Sequence, residues 1–194
     1  MEGIKYTELM GENVKDKLKY CGKNVKILNL AKIINPQYAE IDDNTIIFDY
    51  VFIDANKSFK LGKYSCITWH CLVEGASHVE IGNRCFLGPG TKILGSTYEF
   101  QGYYTSQHLP EGTSAIRFGN IKICDDAYIG ANTVVMPGVT IGEGALVGAN
   151  SLVTHNLEPW TIYFGSPAKK IGKRQKPTDE RRAIVEAMDW TKNF

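Results

Sequence analysis

The sequence has no excess of either charge. Its 22 lysines and arginines face 21 aspartates and glutamates, so no strong field draws the chain to nucleic acid or to an anionic membrane surface. It also has no apolar run of membrane-spanning length, and its first twenty residues, MEGIKYTELMGENVKDKLKY, contain no apolar core of signal-peptide length. A cytoplasmic protein without a membrane span is therefore expected. The five cysteines (Cys21, Cys66, Cys71, Cys85 and Cys124) are odd in number and form no C-x-x-C pair. They read as reduced, structural thiols rather than a disulfide framework. A chain of 194 residues with 43% apolar content can bury one substantial core, so one domain with short appendages is the default.

What is abundant is a period of six. Ile123, Ile129, Val135, Ile141, Val147 and Val153 hold one register, and Ala127, Thr133, Val139, Ala145, Ser151 and Leu157 stand four places after each. Neither the helical period of 3.6 nor the strand period of 2 explains this. Ile41, Ile47 and Ile53, then Leu61, Ile67 and Val73, then Ile81, Leu87 and Ile93 form triplets of hexads, with two extra residues between triplets. A triangular coil accounts for the pattern: three short flat strands per turn, each pointing one aliphatic inward, with glycine, asparagine and small residues at the bends. Stacked coils share one aliphatic column as core, and ladder pairing at roughly 4.8 Å per coil satisfies the backbone. An all-β solenoid, a parallel β-helix over 35–160, is expected. Residues 1–34 form a partly helical N-terminal segment, and 161–194 a C-terminal extension with a short helix. Glycine-rich turns such as IGEGALVG lack the strand-then-helix context of a dinucleotide fingerprint, so Gly130, Gly142 and Gly148 are corner glycines first.

Two segments break the period, and departures from a repeat are where specificity resides. The step from Ile93 to Ile123 is 24 residues longer than the hexad needs, which makes 95–121 a long external loop. Long ordered loops in compact domains tend to be functional. This one carries Tyr98, Glu99, Phe100, Tyr103, Tyr104 and His108. The other departure is the tail, where PWTIYFGSPAKKIGKRQK is expected to leave the coil and PTDERRAIVEAMDW to form a helix. Thr178 caps that helix, Asp179 and Glu180 favour its positive end, and Ile184 and Met188 fall one turn apart to pack on or trim the last coil.

The hexads, the external loop and the closing run VTHNLEPWTIYFGSPAKKIGKR resemble the hexapeptide-repeat, left-handed β-helix acyltransferases over roughly residues 35 to 175. The loop opening STYEFQG and the run LEPWTIY are similar to those of nucleotide-sugar N-acyltransferases and O-antigen sugar acetyltransferases of bacterial lipopolysaccharide pathways. The resemblance implies left-handed coiling and a homotrimer, with acetyl-CoA or another acyl-CoA lying between neighbouring solenoids. It also implies a nucleotide-linked amino deoxysugar as acceptor and no metal.

Carried over residue by residue, the resemblance exposes one difference. In branches where a loop histidine is the general base, an asparagine one coil earlier orients the acceptor. Counted from the IGN turn at Ile81, the asparagine position falls at His70 and the histidine position at Tyr98 or Glu99, so the usual base is absent. Glu99 is expected to bind the acceptor and is a candidate proton acceptor, with His70 beside it. A sugar amine arrives mostly as ammonium and can use a carboxylate to hold it and take its proton, whereas a hydroxyl needs a committed base. The missing histidine favours an amine. His108 folding back, or His70 itself, would restore a histidine base and with it a sugar O-acetyltransferase. For acyl-CoA, Gly130, Ala131, Gly148 and Ala149 leave backbone bare for the pantetheine amides, and one N–H is placed to stabilise the thioester oxyanion. Thr154, His155, Pro167, Ala168, Lys169 and Lys170 stand where relatives meet the nucleotide end, and lysines suit its phosphates. A different class, a zinc-binding carbonic-anhydrase-like or scaffold trimer, would need histidines spaced H-x4-H. The four histidines here show no such spacing.

Overall fold

The computed structural model describes residues 6–188 except 107. The chain winds into three sheets, of six, eight and six strands, parallel except for the last strand of the second, that form the sides of a triangular prism. One turn of the coil takes one strand from each sheet: Ser58–Leu61, Cys66–Ile67 and Leu72–Glu74, for example, with His78–Ile81, Phe86–Leu87 and Lys92–Leu94 directly above. Inward positions stack in register, Leu61 under Ile81 under Ile123 on the first sheet and Ile67 under Leu87 under Ile129 on the second. Each of these side chains is almost wholly buried. The six-residue spacing thus becomes one continuous aliphatic column.

The solenoid begins earlier than residue 35. Tyr20–Cys21, Lys26–Ile27 and Lys32–Ile34 pair with the strands of the next coil, so the first coil lies inside the segment 1–34. Cys21, Ile27 and Ile33 repeat the triplet Ile41, Ile47 and Ile53 twenty residues earlier, and a cysteine in the first place hid the pattern. Below it, short 3₁₀ turns over Tyr6–Leu9 and Gly11–Lys17 bury Val14 completely and close the lower end of the core. The upper boundary also moves. Thr161–Phe164 continues the second sheet in parallel on Leu146–Val147, and Lys169–Lys173 folds back on it antiparallel. The tail therefore leaves the coil after Lys173 rather than at 161, and both open ladder ends are covered, as exposed edges require.

The C-terminal helix spans Asp179–Glu186 and is capped by Thr178, whose side chain accepts the Arg181 N–H. None of its residues is buried, and Ile184 is 62% exposed. The expected packing of Ile184 and Met188 onto the last coil is not what the structure shows: the helix stands off, across a cavity of about 370 Å³ lined by Arg84, Trp160 and Arg181. Asp189 and Trp190, where the expected helix would end, lie outside the described residues. Among the described residues no helix is long and apolar enough to cross a membrane.

The external loop leaves the corner between the third and first sheets. Its foot is an antiparallel ribbon, Ser96–Tyr98 with Ile116–Phe118, and a further bridge joins Tyr104 to Ser114. The outer rows of the prism differ in chemistry. On the first sheet Glu40 meets Lys19 and Lys60, and Lys122 meets Glu80. On the second the outward positions in register are Ile46, Cys66, Phe86, Tyr128, Leu146 and Ile162.

Candidate active site

The corner between the second and third sheets changes character along the prism. In the three upper coils it is built from Gly88-Pro89-Gly90, Gly130-Ala131-Asn132 and Gly148-Ala149-Asn150; in the coils below, the same positions hold Thr68-Trp69-His70 and Phe48-Asp49-Tyr50. The glycines are required by the stacking itself. A Cβ on Gly88 would lie 2.6 Å from the Ala131 nitrogen, and one on Gly130 would lie 2.5 Å from the Ala149 nitrogen, far inside contact distance. Successive coils therefore approach closely and leave a shallow trough of small residues. At roughly 4.8 Å per coil its three coils span about 14 Å.

Both ends of the trough are aromatic. At the top Phe164 lies against Gly148, where a Cβ would come 2.4 Å from its ring, and the Phe164 side chain is 53% exposed. At the bottom Trp69 packs on Phe48 with ring centroids 4.5 Å apart, and the His70 ring stacks parallel on Tyr50 at 4.9 Å. His70 and Tyr50 both hold left-handed backbone, φ 59° and 62°. Gly90 takes the same conformation one coil further up and Asn132 and Asn150 two and three coils up, residue types that adopt it at least cost. Within the trough, the N–H groups of Gly130 and Gly148 are committed to the ladder, bonding the carbonyls of Val147 and Tyr163. Those of Ala131 and Ala149 have no backbone acceptor among the described residues, and Ala149 is exposed.

The loop carries the second half of the site. Glu74, at the end of Leu72–Glu74, accepts from both the Ser96 hydroxyl (2.6 Å) and the Ser96 N–H (3.2 Å), which fixes the foot of the ribbon. Tyr98 pairs with Ile116, and Glu99 follows with its N–H on the Ala115 carbonyl. The half-buried Glu99 carboxylate accepts only the Gln101 N–H, at 3.2 Å, and has no cationic partner among the described residues. His108 lies exposed in the loop tip beyond the Tyr104–Ser114 bridge, with its N–H on the Ser106 hydroxyl. Among the described residues no hydrogen bond or ion pair joins it to Glu99. Nor is any contact between His70 and Glu99 present among the described residues: His70 stands at one edge of the third sheet, the loop carrying Glu99 leaves from the other, and about 13 Å of extended backbone separates His70 from Glu74 at the loop's edge.

The residues expected at the nucleotide end divide. Thr154 and His155 are exposed at the same corner as the loop, two coils above it, their side chains 3.4 Å apart. Pro167 and Lys169 are exposed, and Lys169 has no ion-pair partner among the described residues. Lys170 instead bonds Glu158 at 2.6 Å; that pairing holds the Glu158 carboxyl below its usual range and raises the Lys170 ammonium. Ala168 is 1% exposed and its N–H bonds Leu152, so its side chain packs the end of the third sheet and offers nothing to a ligand. The cysteines supply no nucleophile, because burial pushes Cys66 up to about 11 and Cys85 up to about 12. Among the described residues no three His, Cys, Asp or Glu side chains gather as a metal site.

Residues 120–155 match the family described as bacterial transferase hexapeptide (six repeats). The chain is 31% identical over 161 residues to a chloramphenicol acetyltransferase of Morganella morganii, covering 70% of this chain and 76% of that one. It is 29% identical over 168 residues to the dTDP-4-amino-4,6-dideoxy-D-glucose acyltransferase of Escherichia coli, covering 86% and 88%. It spans little more than half the length of some other curated relatives it matches, 57% in one case. Among solved structures, a variant of AntD, an N-acyltransferase from Bacillus cereus, in complex with dTDP-4-amino-4,6-dideoxyglucose and coenzyme A superposes with a TM-score of 0.82. The sequence identity is 28%, over 88% of this chain and 92% of that one.

Proposed function

This chain belongs to the hexapeptide-repeat acyltransferases, and from that premise we propose that it transfers an acyl group from acyl-CoA to the amine of a nucleotide-linked amino deoxysugar. The observation that carries the reading is the small-residue trough. Its length suits an extended pantetheine arm, and the unpaired N–H groups of Ala131 and Ala149 are what pantetheine carbonyls need. Lys169, paired with Phe164, stands near its upper end for the nucleotide and its phosphates, while Thr154 and His155, on the opposite edge of the third sheet, would meet the trough of a neighbouring copy. The thioester then falls at the foot, beside Trp69 and His70.

The second half comes from a neighbouring copy. Because His70 and the loop carrying Glu99 sit at opposite edges of one sheet, the loop of one protomer has to reach the trough of the next to complete a site. The apolar outer row of the second sheet, Ile46 to Ile162, suits burial against such a neighbour; a head-to-tail contact of this kind closes into a ring, and the resemblance to solenoid acyltransferases makes that ring a homotrimer. In that assembly the Glu99 carboxylate receives the ammonium and takes its proton. The freed amine attacks the thioester carbonyl while an N–H donor holds the oxyanion; the tetrahedral intermediate expels CoA thiolate, and the remaining excess proton on the amine nitrogen passes to the thiolate, leaving amide and free CoA. Amino sugars carried on nucleotides are modified in this way for surface polysaccharides such as O-antigen, in the cytoplasm.

His70 favours a second reading. It lies at the foot of the trough with no hydrogen-bond partner among the described residues, and as a base it would serve a hydroxyl acceptor. A thermal-shift panel tests the two together, since a bound ligand raises the melting point by mass action. Acetyl-CoA and dTDP-4-amino-4,6-dideoxyglucose should each stabilise the protein, the sugar more than its 4-hydroxy analogue. No shift with any acyl-CoA would remove the proposal, and equal shifts with both sugars would favour the hydroxyl reading.

A further inference from the structure

The trough does not fade out at its lower end; it stops against one large ring. At the corner position held by Pro89, Ala131 and Ala149 in the upper coils, the next coil down holds Trp69. Its backbone is fixed, because the Trp69 carbonyl accepts the Gly90 N–H at 2.9 Å and the neighbouring Thr68 hydroxyl is buried on the Leu87 carbonyl at 2.7 Å. Its ring is braced from below by Phe48. A side chain so placed and still 44% exposed presents an aromatic surface at the lower end of the groove.

We propose that Trp69 sets the length of acyl chain the enzyme accepts, an inference that rests on the acyl-CoA reading above. With the pantetheine arm laid over the three small-residue coils, the carbon beyond the thioester carbonyl meets the Trp69 ring. The surroundings are those of a hydrocarbon site. Phe48 packs on the tryptophan and the Tyr50 and His70 rings stack at the same two coils; of the nearest charges, Asp49 is turned to the Leu30 N–H and the Lys92 ammonium to the Gly90 carbonyl. With those charges already engaged, a short alkyl chain suits the surface better than a diphosphate. That surface leaves room for a small acyl group and blocks a longer one, because its two braced rings cannot swing aside without losing their contact.

The test compares kcat/KM for acetyl-, butyryl- and hexanoyl-CoA in the wild type, Trp69→Phe and Trp69→Ala, with circular dichroism to establish folding and calorimetry for CoA itself. The readout is the ratio between donors, so a general loss of activity does not enter. The wild type should prefer acetyl over hexanoyl by about 100-fold. Trp69→Ala should bring that ratio below about tenfold, and Trp69→Phe should fall between. If Trp69→Ala does not fold, the phenylalanine variant alone decides, because its smaller ring must relax the ratio. An unchanged ratio in a folded variant, or a change confined to the acceptor KM, overturns the proposal. A wild type that binds no CoA overturns the reading beneath it instead.

Discussion

The loop carboxylate offers the most exacting perturbation. Glu99→Gln keeps the shape of the side chain and its hydrogen bond to the Gln101 N–H but removes the charge. Since no cation pairs with Glu99 among the described residues, the substitution breaks no internal ion pair and leaves no buried partner stranded. Its effect on the fold should be within a few tenths of a kcal/mol, as for other surface changes of this kind. The effect on the reaction is larger. A hydrogen bond to a charged group contributes roughly 1.5–3 kcal/mol, so kcat/KM for an amino-sugar acceptor should fall about 10- to 150-fold. The affinity for CoA, whose proposed contacts are with the trough backbone and not with Glu99, should not move. Steady-state thiol release at saturating acyl-CoA, with calorimetry for CoA, separates the two. Full activity in Glu99→Gln together with its loss in His70→Asn would refute the carboxylate's role and make a hydroxyl acceptor the better account.

Ala149→Trp should fill the trough and weaken acyl-CoA binding more than tenfold while the melting temperature stays near that of the wild type; equal calorimetric affinity would show that the cosubstrate lies elsewhere. Gly130→Ala drives a Cβ to 2.5 Å from backbone in the next coil and should cost roughly 1–3 kcal/mol, seen as a lowered melting temperature. The thiols of Cys66 and Cys85 stay protonated in the fold to about pH 11 and 12, from a starting value of 9.0. The unfolded chain loses those protons first, so their contribution is intact below pH 9 and lost as pH rises through the folded values. The urea midpoint should therefore drop between pH 8 and pH 10.5, and less so in Cys85→Ala. Light scattering should return three times 21.6 kDa; a stable monomer at micromolar concentration would leave Glu99 and His70 on separate sites.

The aliphatic column was legible because each coil contributes the same inward positions and nothing competes for them: Ile41, Leu61, Ile81 and Ile123 appear in sequence as they do in space. The ends were less so. Cys21 in an aliphatic place concealed the first coil, and Thr161–Phe164 reads as tail because the six-residue spacing lapses there while the ladder continues. Trp69, Phe48 and Phe164 escaped notice for another reason. Each is unremarkable in its own hexad and acquires meaning only when the corners are aligned and the glycines and alanines between them form a trough. Ala168 and Lys170 stood in the right motif but are occupied, one by packing and the other by Glu158, which spacing alone does not reveal. The helix over Asp179–Glu186 carries its cap and charges as expected, yet its short apolar side finds no face to bury.

The most direct measurement of the central claim is the product itself. Purified protein is incubated with acetyl-CoA and dTDP-4-amino-4,6-dideoxyglucose, and thiol release is followed alongside mass spectrometry of the sugar. The account predicts one acetyl group per sugar, one free thiol per acetyl, and a hydroxylamine-resistant amide on the amino nitrogen. Thiol release without a modified sugar, or a hydroxylamine-labile ester on a hydroxyl with the amine untouched, would contradict it.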